Sequence, residues 1–386
     1  MEAALSDVVV IDLSRVFAGP YCTMILGDLG ATVIKVEQPG KGDDTRQFGP
    51  PYVAGESAYY LGLNRNKRSI TLDFSNPDEK QRLLEMVRTA AVLVENFRPG
   101  TLERQGLGYE ALRAINPGLI YCSISGYGQT GPYASRAGYD FVAQAESGLM
   151  SVTGEIDGDP QRVGSPIADL SAGLFACISI LAALRVRDRT GQGQHIDISL
   201  FEAAVALLGN VSANHLISGE EAERYGNGHP NIVPYQAFRT QDGYIVVSCG
   251  NDRLYQSFCH LLGRDDLATH ERFATNPQRV RNRQELIPIL QELLLQRDTE
   301  GWLAELRATG IPCGPINTVS QVFRDAQLES RGFVWECEHP TAGTIRLSGS
   351  PIRLSETPTH LYKAPPLLGE DNEDYDRFLP PSVRIE

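Results

Sequence analysis

Short runs of apolar, largely β-branched residues alternate with segments of helical periodicity through the first 200 residues of the chain. Residues 8–13 form the first run, which is typical of a strand that is covered on both faces in a parallel sheet. Further strands are predicted at residues 31–36, 69–72, 92–95, 119–124 and 194–199, with amphipathic helices such as 77–90 between them. Because parallel strands need crossover connections, this pattern predicts an α/β fold with a parallel sheet.

The pattern changes in the second half of the chain. A long apolar helix with small residues is predicted at 169–187, and a helical segment at 201–217 leads into a polar stretch at 218–230 that has the composition of a linker. A second unit follows, with a strand at 244–248 and helices at 253–262, 283–295 and 301–309. After residue 332, short strands are expected at 343–347 and 352–354.

Composition excludes several classes of protein. With 35 Lys+Arg against 48 Asp+Glu, the 386-residue chain has a formal net charge of −13, which argues against nucleic acid as a main partner. Apolar runs such as 178–184 are too short to span a bilayer, so a soluble protein without a membrane partner is expected. The seven scattered cysteines form no C-x-x-C pair, and the amino terminus has no targeting segment; both favour the cytoplasm.

Two familiar site motifs are weak or absent. Residues 126–131 read G-x-G-x-x-G after a strand, but helix breakers follow where a dinucleotide site needs a helix, so a loop near an active site is favoured over an NAD site. The histidines lack an H-x-x-x-H pair, so no metal site is expected. A serine nucleophile elbow, G-x-S-x-G, does not occur.

Two charged features carry more information. Asp169 precedes the apolar helix, where it can either cap the helix or remain ionised as a nucleophile; the residues alone leave both open. The basic cluster at 64–68, with Arg98 and Arg104, is either a solvated turn or a seat for phosphates.

Five motifs in register make the chain resemble the class III CoA-transferases, the type that includes formyl-CoA and carnitine CoA-transferases. The resemblance runs from about residue 8 to residue 369. It rests on residues 12–20 (DLSRVFAGP), 26–37 (LGDLGATVIKVE), 64–70 (NRNKRSI), 94–100 (VENFRPG) and 167–170 (IADL).

The resemblance implies a large Rossmann-like domain built from both chain ends, a smaller α+β domain in the middle, and two copies interlocked as a homodimer. On this basis we expect residues 1–205 and 350–386 in the large domain and 225–335 in the small domain. The linkers would be residues 206–224 and 336–349.

The resemblance also implies a mechanism. Asp169 would attack the donor thioester to give a mixed anhydride, the CoA thiolate would return to form an aspartyl-CoA thioester, and the acceptor carboxylate would take the CoA. A carboxylate with an ordinary pKa near 3.9 would be ionised for this attack, and backbone N–H groups would stabilise the oxyanions. No metal or prosthetic group is implied, since coenzyme A enters as acyl-CoA substrate.

The CoA contacts that the resemblance implies are carried over by motif. Three departures from other members bear on the substrate: Phe17 replaces a glutamine of oxalate-using members, Gln38 replaces a basic residue found in some, and residues 249–252 replace a glycine loop. Oxalate is therefore not the expected acceptor. The implied contacts are Val16, Phe17, Ala18, Gln38, Leu72, Asp73, Phe74, Ser75, Asn96, Phe97, Arg98, Arg104, Arg136, Ala137, Tyr139 and Asp140.

Substrate and reaction class follow from the same resemblance. Residues 126–132, 136–140, 232–238, 314–317 and 365–369 are similar to the branch that uses succinyl-CoA with a dicarboxylate, whose second carboxylate could meet Arg15, Arg46 or Arg65. Two alternatives remain: a 2-methylacyl-CoA racemase, which Tyr139 serves poorly because that branch has a histidine there, and a catalytically silent CoA-binding protein.

Overall fold

The computed structural model describes residues 2–373 and divides them into two compact units. Unit 1 comprises residues 2–149, 163–208 and 326–373, and unit 2 comprises residues 150–162 and 209–325. Residues 374–386 of the expected large domain lie outside the described residues.

The strands of the described residues alternate with helices as far as residue 200. They are β1 (Val9–Asp12), β2 (Thr32–Glu37), β3 (Tyr52–Val53), β4 (Glu56–Ser57), β5 (Lys67–Thr71), β6 (Val92–Glu95), β7 (Ile120–Ser125), β8 (His195–Ser199), β9 (Tyr235–Arg239), β10 (Tyr244–Ser248), β11 (Cys313–Pro315), β12 (Val334–His339) and β13 (Gly343–Ser348).

The described residues also contain one 3₁₀ turn, Asp44–Gln47, and a set of α-helices. The helices are α1 (Ala18–Asp28), α2 (Ala58–Leu61), α3 (Pro77–Val87), α4 (Thr101–Arg104), α5 (Tyr109–Ile115), α6 (Asp140–Glu146), α7 (Leu149–Val152), α8 (Ile167–Thr190), α9 (Leu200–Ala206), α10 (Asn210–Ser218), α11 (Asp252–Leu261), α12 (Asp265–Thr269), α13 (Asn276–Arg281), α14 (Arg283–Leu294), α15 (Thr299–Ala308), α16 (Val319–Val322) and α17 (Ala326–Ser330).

Unit 1 is built on a six-stranded sheet in the order β5-β2-β1-β6-β7-β8, and every neighbouring pair is parallel. Side chains of β1 alternate between the two faces. Val10 packs with α1 and α8 on one face, whereas Val9 and Ile11 pack with α3 and α5 on the other. This confirms the expected α/β fold with a parallel sheet, whose strands are apolar because both faces are covered.

Small residues let α8 approach α1 closely. A side chain at Gly173 would meet the carbonyl oxygen of Ala18 at 2.7 Å, and Ala168, Ala172 and Ala176 are completely buried. The contact therefore brings the second turn of α8 next to the first turn of α1. The close packing that small residues predicted is found, and it places two motifs that are 150 residues apart side by side.

Unit 2 contains a three-stranded antiparallel sheet in the order β11-β10-β9. Its core includes Phe238, Phe258 and Leu290, which are at most 1% exposed. The completely buried Arg279 ties this unit together, since it forms an ion pair of 2.7 Å with Asp252 and donates to backbone carbonyls.

The residues of both expected linkers include regular elements. Residues 336–349 overlap the antiparallel hairpin β12–β13, in which the strand expected at 343–347 is found as β13, and Cys337, Ile345 and Leu347 pack together. The expected linker 206–224 contains α10, which continues the helical segment expected at 201–217. One local expectation was wrong. Residues 352–354 form no strand, since the backbone N–H and carbonyl of Ile352 are bonded to the hydroxyls of Ser350 and Thr359 instead of a neighbouring strand.

One helix of residues 2–373, α8, is long and apolar enough to cross a membrane by length and composition alone. The apolar run 178–184 lies within this helix, which was predicted at 169–187 and extends a few residues further at both ends. Half of its most apolar window is buried by the rest of the protein, which is the situation of a core helix.

Candidate active site

The loop that follows β1 is held in a strained conformation. Val16 has a φ of 70°, a left-handed conformation that is costly for a β-branched residue. Its N–H donates to the carboxylate of Asp43 at 3.2 Å. The Asn96 side chain accepts from the N–H of Arg15 at 2.8 Å and donates to its carbonyl at 2.7 Å. These contacts fix the start of α1 against the loop after β6.

Buried ion pairs support this loop from below. Lys67 pairs with Asp12 at 3.0 Å and Lys35 pairs with Asp43 at 2.8 Å, and all four side chains are completely buried. Burial alone would raise the pKa of Asp12, but Lys67 and Lys35 outweigh it and hold that pKa below its usual range. Lys35 also donates to the carbonyl of Ser14 at 3.0 Å. The network therefore fixes the backbone at Ser14 and Val16.

Asp169 lies in the first turn of α8, but it does not cap the helix. The cap is supplied by Asp140, whose carboxylate accepts from the N–H groups of Ala168 at 2.8 Å and Asp169 at 3.3 Å. Gln144 donates to the other oxygen of Asp140 at 2.7 Å. The helix N-terminus is thus already matched by one negative charge, and the Asp169 carboxylate is left for chemistry.

The ionisation of Asp169 differs from the expectation. Burial, followed by the nearby Asp140 carboxylate, raises the pKa of Asp169 to about 7. The expected carboxylate with an ordinary pKa is therefore wrong for this site. An aspartate with this pKa is a stronger nucleophile when ionised, and it is ionised in about half of the molecules at neutral pH.

A cavity of about 200 Å³ opens above Asp169, at the carboxyl edge of the parallel sheet. Glycines 126 and 138 approach each other on its wall, where a side chain at Gly126 would meet the Cα of Gly138 at 2.6 Å. Gly126 belongs to the G-x-G-x-x-G stretch, which is thus a loop at the candidate active site. Ten predicted residues line the cavity: Val16, Phe17, Ala18, Asn96, Phe97, Arg98, Arg136, Ala137, Tyr139 and Asp169.

A second cavity of about 220 Å³ adjoins the same loops. Arg15 and Phe97 line both cavities, so the two spaces lie on either side of this pair, and the Arg15 guanidinium is 5.2 Å from the Phe97 ring centre. Five of the predicted residues line the second cavity in addition to Phe97: Gln38, Leu72, Asp73, Phe74 and Ser75.

Two predicted contacts line neither cavity. Asp140 is committed to the cap of α8, because the two backbone N–H groups and the Gln144 amide already use its carboxylate oxygens. Arg104 is exposed and donates to Thr101 at 3.3 Å, while the next residue, Gln105, lines the second cavity. The contact of Arg104 with a phosphate stays a prediction.

Two cations of the basic cluster at 64–68, Arg65 and Lys67, are not available to bind phosphates. Arg65 pairs with Asp28 at 2.6 Å and Lys67 with Asp12, so these charges are neutralised inside the protein. Arg65 is therefore excluded as the receptor of a second carboxylate. Arg46 is excluded for the same reason, since it pairs with Glu37 at 2.7 Å and donates to Tyr60. Arg15 remains as the candidate receptor of the second carboxylate, since it is 3.6 Å from Asp44 and about half exposed.

Sequence reasoning missed Tyr59. Its ring packs edge-on against Phe17 with a centroid distance of 5.9 Å, next to Phe48. Burial, with Asp169 as the next contribution, raises the pKa of Tyr59 to about 12. The phenol is therefore a permanent hydrogen-bond donor near the carboxylate. Tyr59 lies in α2, a few residues before the motif at 64–70, and no motif signal marked it.

Together these groups suit acyl transfer on a carboxylate: one buried aspartate with a raised pKa, three arginines around the space above it, and a second space for a long ligand. Within residues 2–373 no group of three or more histidine, cysteine, aspartate or glutamate residues is arranged to hold a metal ion.

Comparison with known proteins agrees with this chemistry. The chain is 48% identical over 366 residues to human succinyl-CoA:glutarate CoA-transferase, covering 95% of this chain and 84% of the relative. It is 44% identical to a succinate–glutarate CoA-transferase of Agrobacterium fabrum, covering 95% and 93%. A crystal structure of a CAIB/BAIF family protein from Brucella suis superposes with a TM-score of 0.86 at 45% identity, covering 98% of this chain and 99% of the other.

The family assignment rests on nearly the whole length of the chain. Residues 5–372 match the family model of CoA-transferase family III. That range includes both cavities, the strained loop at Val16 and the first turn of α8. The chain is a CoA-transferase and belongs to CoA-transferase family III.

Proposed function

We propose that the protein moves CoA from succinyl-CoA to a dicarboxylic acid such as glutarate, with Asp169 as the covalent nucleophile. The observation that carries the proposal is the position of Asp169, whose carboxylate has a raised pKa and opens into a cavity that ten of the motif residues line. The relatives that act on succinate and glutarate support the choice of substrates.

The proposed reaction proceeds by two acyl exchanges on the aspartate. Asp169 attacks the succinyl-CoA carbonyl, the C–S bond breaks, and a mixed anhydride and CoA thiolate form. The thiolate then attacks the aspartyl carbonyl of the anhydride, releasing succinate and leaving an aspartyl-CoA thioester. The acceptor carboxylate then attacks the aspartyl-CoA thioester, which gives a second mixed anhydride and CoA thiolate. The thiolate attacks the acceptor carbonyl of this anhydride, which forms the new acyl-CoA and releases the Asp169 carboxylate. Each step replaces one activated acyl bond by another.

Acyl-CoA would occupy both cavities. The nucleotide would lie in the second cavity beside Gln38 and residues 72–75, and the pantetheine arm would pass between Arg15 and Phe97 to bring the thioester to Asp169. Arg98 and Arg136 line the space around the thioester, where they would balance the anionic substrates. The overall charge of −13 therefore does not prevent binding, because the cations are placed locally.

Arg15 is our proposed receptor for the second carboxylate of the acceptor. It lines the cavity that contains Asp169, and its contact with Asp44 at 3.6 Å is long enough to be exchanged for a substrate carboxylate. Replacing Arg15 by Gln should raise the KM for glutarate more than the KM for a monocarboxylic acceptor.

The test of the proposed function is exchange of label between succinyl-CoA and free succinate, followed by transfer to glutarate. The wild type should exchange label and form an adduct that hydroxylamine removes, whereas Asp169→Asn should do neither. Full transfer by Asp169→Asn would refute the mechanism. Deuterium uptake at C2 of a 2-methylacyl-CoA without an acceptor would indicate racemase activity, and CoA binding without exchange would indicate a silent binding protein.

We also propose a homodimer. Five large apolar side chains of α8 are between 37% and 60% exposed on this chain, and the first four of them are linked by three- or four-residue spacing, as on a helix face that packs against a partner. A second copy is the occupant that the family resemblance implies. The five are Leu174, Phe175, Ile178, Leu181 and Val186.

For location we propose the cytoplasm. All seven cysteines are free, and five of them are buried in the reduced form, which suits a reducing compartment. Fractionation of cells that produce the protein at its natural level would test this.

A further inference from the structure

A buried carboxylate that the proposed mechanism does not use lies behind the CoA cavities. Glu95 ends β6, is only 5% exposed, and accepts from the N–H of Phe97 at 2.8 Å. Phe97 lines both cavities and lies between Asn96 and Arg98, which line the cavity above Asp169. The bond from Glu95 therefore fixes the loop on which the proposed passage of the pantetheine arm depends.

Glu95 is also the inner end of a hydrogen-bond chain to the surface. It is paired in register with Ser123 of β7, and the two side chains are hydrogen-bonded. The Ser123 hydroxyl is 3.0 Å from Nε2 of His195, an exposed residue of β8 that stacks on Tyr109 with a centroid distance of 5.1 Å. The chain thus runs from an exposed imidazole, through one hydroxyl, to the carboxylate that holds Phe97.

The single hydroxyl proton of Ser123 gives this chain two arrangements. When Glu95 is ionised, Ser123 donates to Glu95 and accepts from Nε2–H of His195. When Glu95 is protonated, it donates to Ser123, and Ser123 donates to Nε2 of His195, whose proton is then on Nδ1. Conversion of the first arrangement into the second takes up one proton at Nδ1 from solvent and passes one proton along the chain, so the protons balance.

The surroundings place this conversion near neutral pH. Burial raises the pKa of Glu95 to about 7; hydrogen bonds from Ser123 and Phe97 act against burial, while Glu103 and Asp197 add to it. No cation is among these groups of the described residues that shift the pKa of Glu95. The other titratable neighbours of the chain are Tyr121 and Cys122 of β7, which Glu95 influences, and Glu110, which acts on His195.

We propose that Glu95 is a positioning residue for acyl-CoA: it exchanges a proton with solvent through Ser123 and His195, and its ionised form holds the Phe97 loop in the geometry that binds CoA. The inference rests on the proposed function, since it assumes that the two cavities hold CoA. A carboxylate accepts a backbone N–H more strongly than a neutral carboxyl or amide group does. The loop is therefore held more firmly above neutral pH than below it.

The test is the affinity for coenzyme A itself, measured by titration calorimetry between about pH 5.5 and about pH 8.5. All proteins carry Asp169→Asn, which removes the other nearby carboxyl group that titrates in this range. The titration of the CoA phosphate is common to all of them and cancels in the comparison. Glu292→Gln is the matched control, because it makes the same chemical change at an exposed residue of α14 that lines neither cavity and is not among the groups that act on Glu95 or His195.

In the Asp169→Asn protein we expect CoA to bind about fivefold more tightly at high pH than at low pH beyond the phosphate effect. Glu95→Gln imitates the protonated form. When it is added to Asp169→Asn, the affinity for CoA should equal that of Asp169→Asn alone at low pH and be about fivefold weaker than it at high pH. Adding Ser123→Ala should move the midpoint to higher pH, because a hydrogen bond that favours the ionised form is lost. The Glu292→Gln control should keep the full pH profile.

The outcomes separate this inference from the proposed function. If the Asp169→Asn protein binds no CoA at any pH, the proposed function fails. If it binds CoA, and Glu95→Gln keeps the same pH profile or Ser123→Ala leaves the midpoint unchanged, the positioning role of Glu95 is wrong. Should Glu95→Gln not fold, the shift of the midpoint in Ser123→Ala decides the matter alone.

Discussion

The carboxylate of Asp140 accepts the backbone N–H of Asp169 at 3.3 Å, so two acidic residues meet at the N-terminus of α8. Asp140 uses the helix N-terminus, and its charge helps to raise the pKa of Asp169 to about 7. The residue that caps the helix thus adds to the effect of burial on the pH at which the proposed nucleophile becomes active.

Replacing Asp140 by Asn should shift the pH dependence of catalysis. Asp169 must be ionised to attack, so activity should rise with pH through about 7 in the wild type. The Asp140→Asn variant keeps a side-chain oxygen for the helix N–H groups but loses the charge, so the acidic limb should move to lower pH. The measurement is kcat/KM for succinyl-CoA across this range. Asp140→Ala, which also loses the cap, should lower the unfolding free energy by about 1 kcal/mol.

Replacing Asp169 by Asn should stabilise the protein at high pH. A carboxyl group whose pKa is higher in the folded than in the unfolded protein adds stability below the unfolded value and loses it as pH rises through the folded value. The folded value of about 7 against 3.8 corresponds to a gain of up to about 4 kcal/mol for Asp169→Asn at about pH 8, and little at about pH 4. Urea unfolding at both pH values tests this, with the exposed Asp78→Asn as the control. An equal effect at both pH values would contradict the raised pKa.

The buried pair of Lys67 and Asp12 should behave as one unit. Lys67→Met leaves the Asp12 carboxylate without its 3.0 Å partner and should cost about 3–5 kcal/mol of unfolding free energy. Adding Asp12→Asn removes the uncompensated charge and should recover a large part of that loss. Urea unfolding of both single variants and the double variant measures the coupling. Simple addition of the two single effects would mean that the pair is not coupled.

The exposed apolar face of α8 should control association. Ile178 is 60% exposed, and Ile178→Arg would place a charge in the proposed interface between two copies. Light scattering after size-exclusion chromatography should give a dimer for the wild type and a smaller species for Ile178→Arg. Arg189→Glu, at the exposed end of the same helix, should leave the dimer intact. A monomeric wild type would contradict the proposal.

The agreement between the predictions from the sequence and the structure differs from one segment to the next. The strands at 92–95 and 244–248 were predicted with the bounds that the structure shows, because apolar β-branched runs report local burial directly. Of the hairpin β12–β13, the second strand was predicted at 343–347 and the first was not, since a two-stranded element of mixed polarity gives a weak periodic signal. The motif at 64–68 was expected as a solvated turn or a phosphate seat because its partners, Asp28 and Asp12, are distant in the chain.

The sequence by itself determined the α/β class, the motif residues and the family, since these depend on local pattern and on ordered matches. The tertiary structure decided which charges are available. Arg46 and Arg65 are consumed by buried carboxylates, Asp140 is a cap, and Asp169 has a raised pKa. The physical reason is that charge and pKa depend on burial and on neighbours brought together by folding, and neither can be read from positions along the chain.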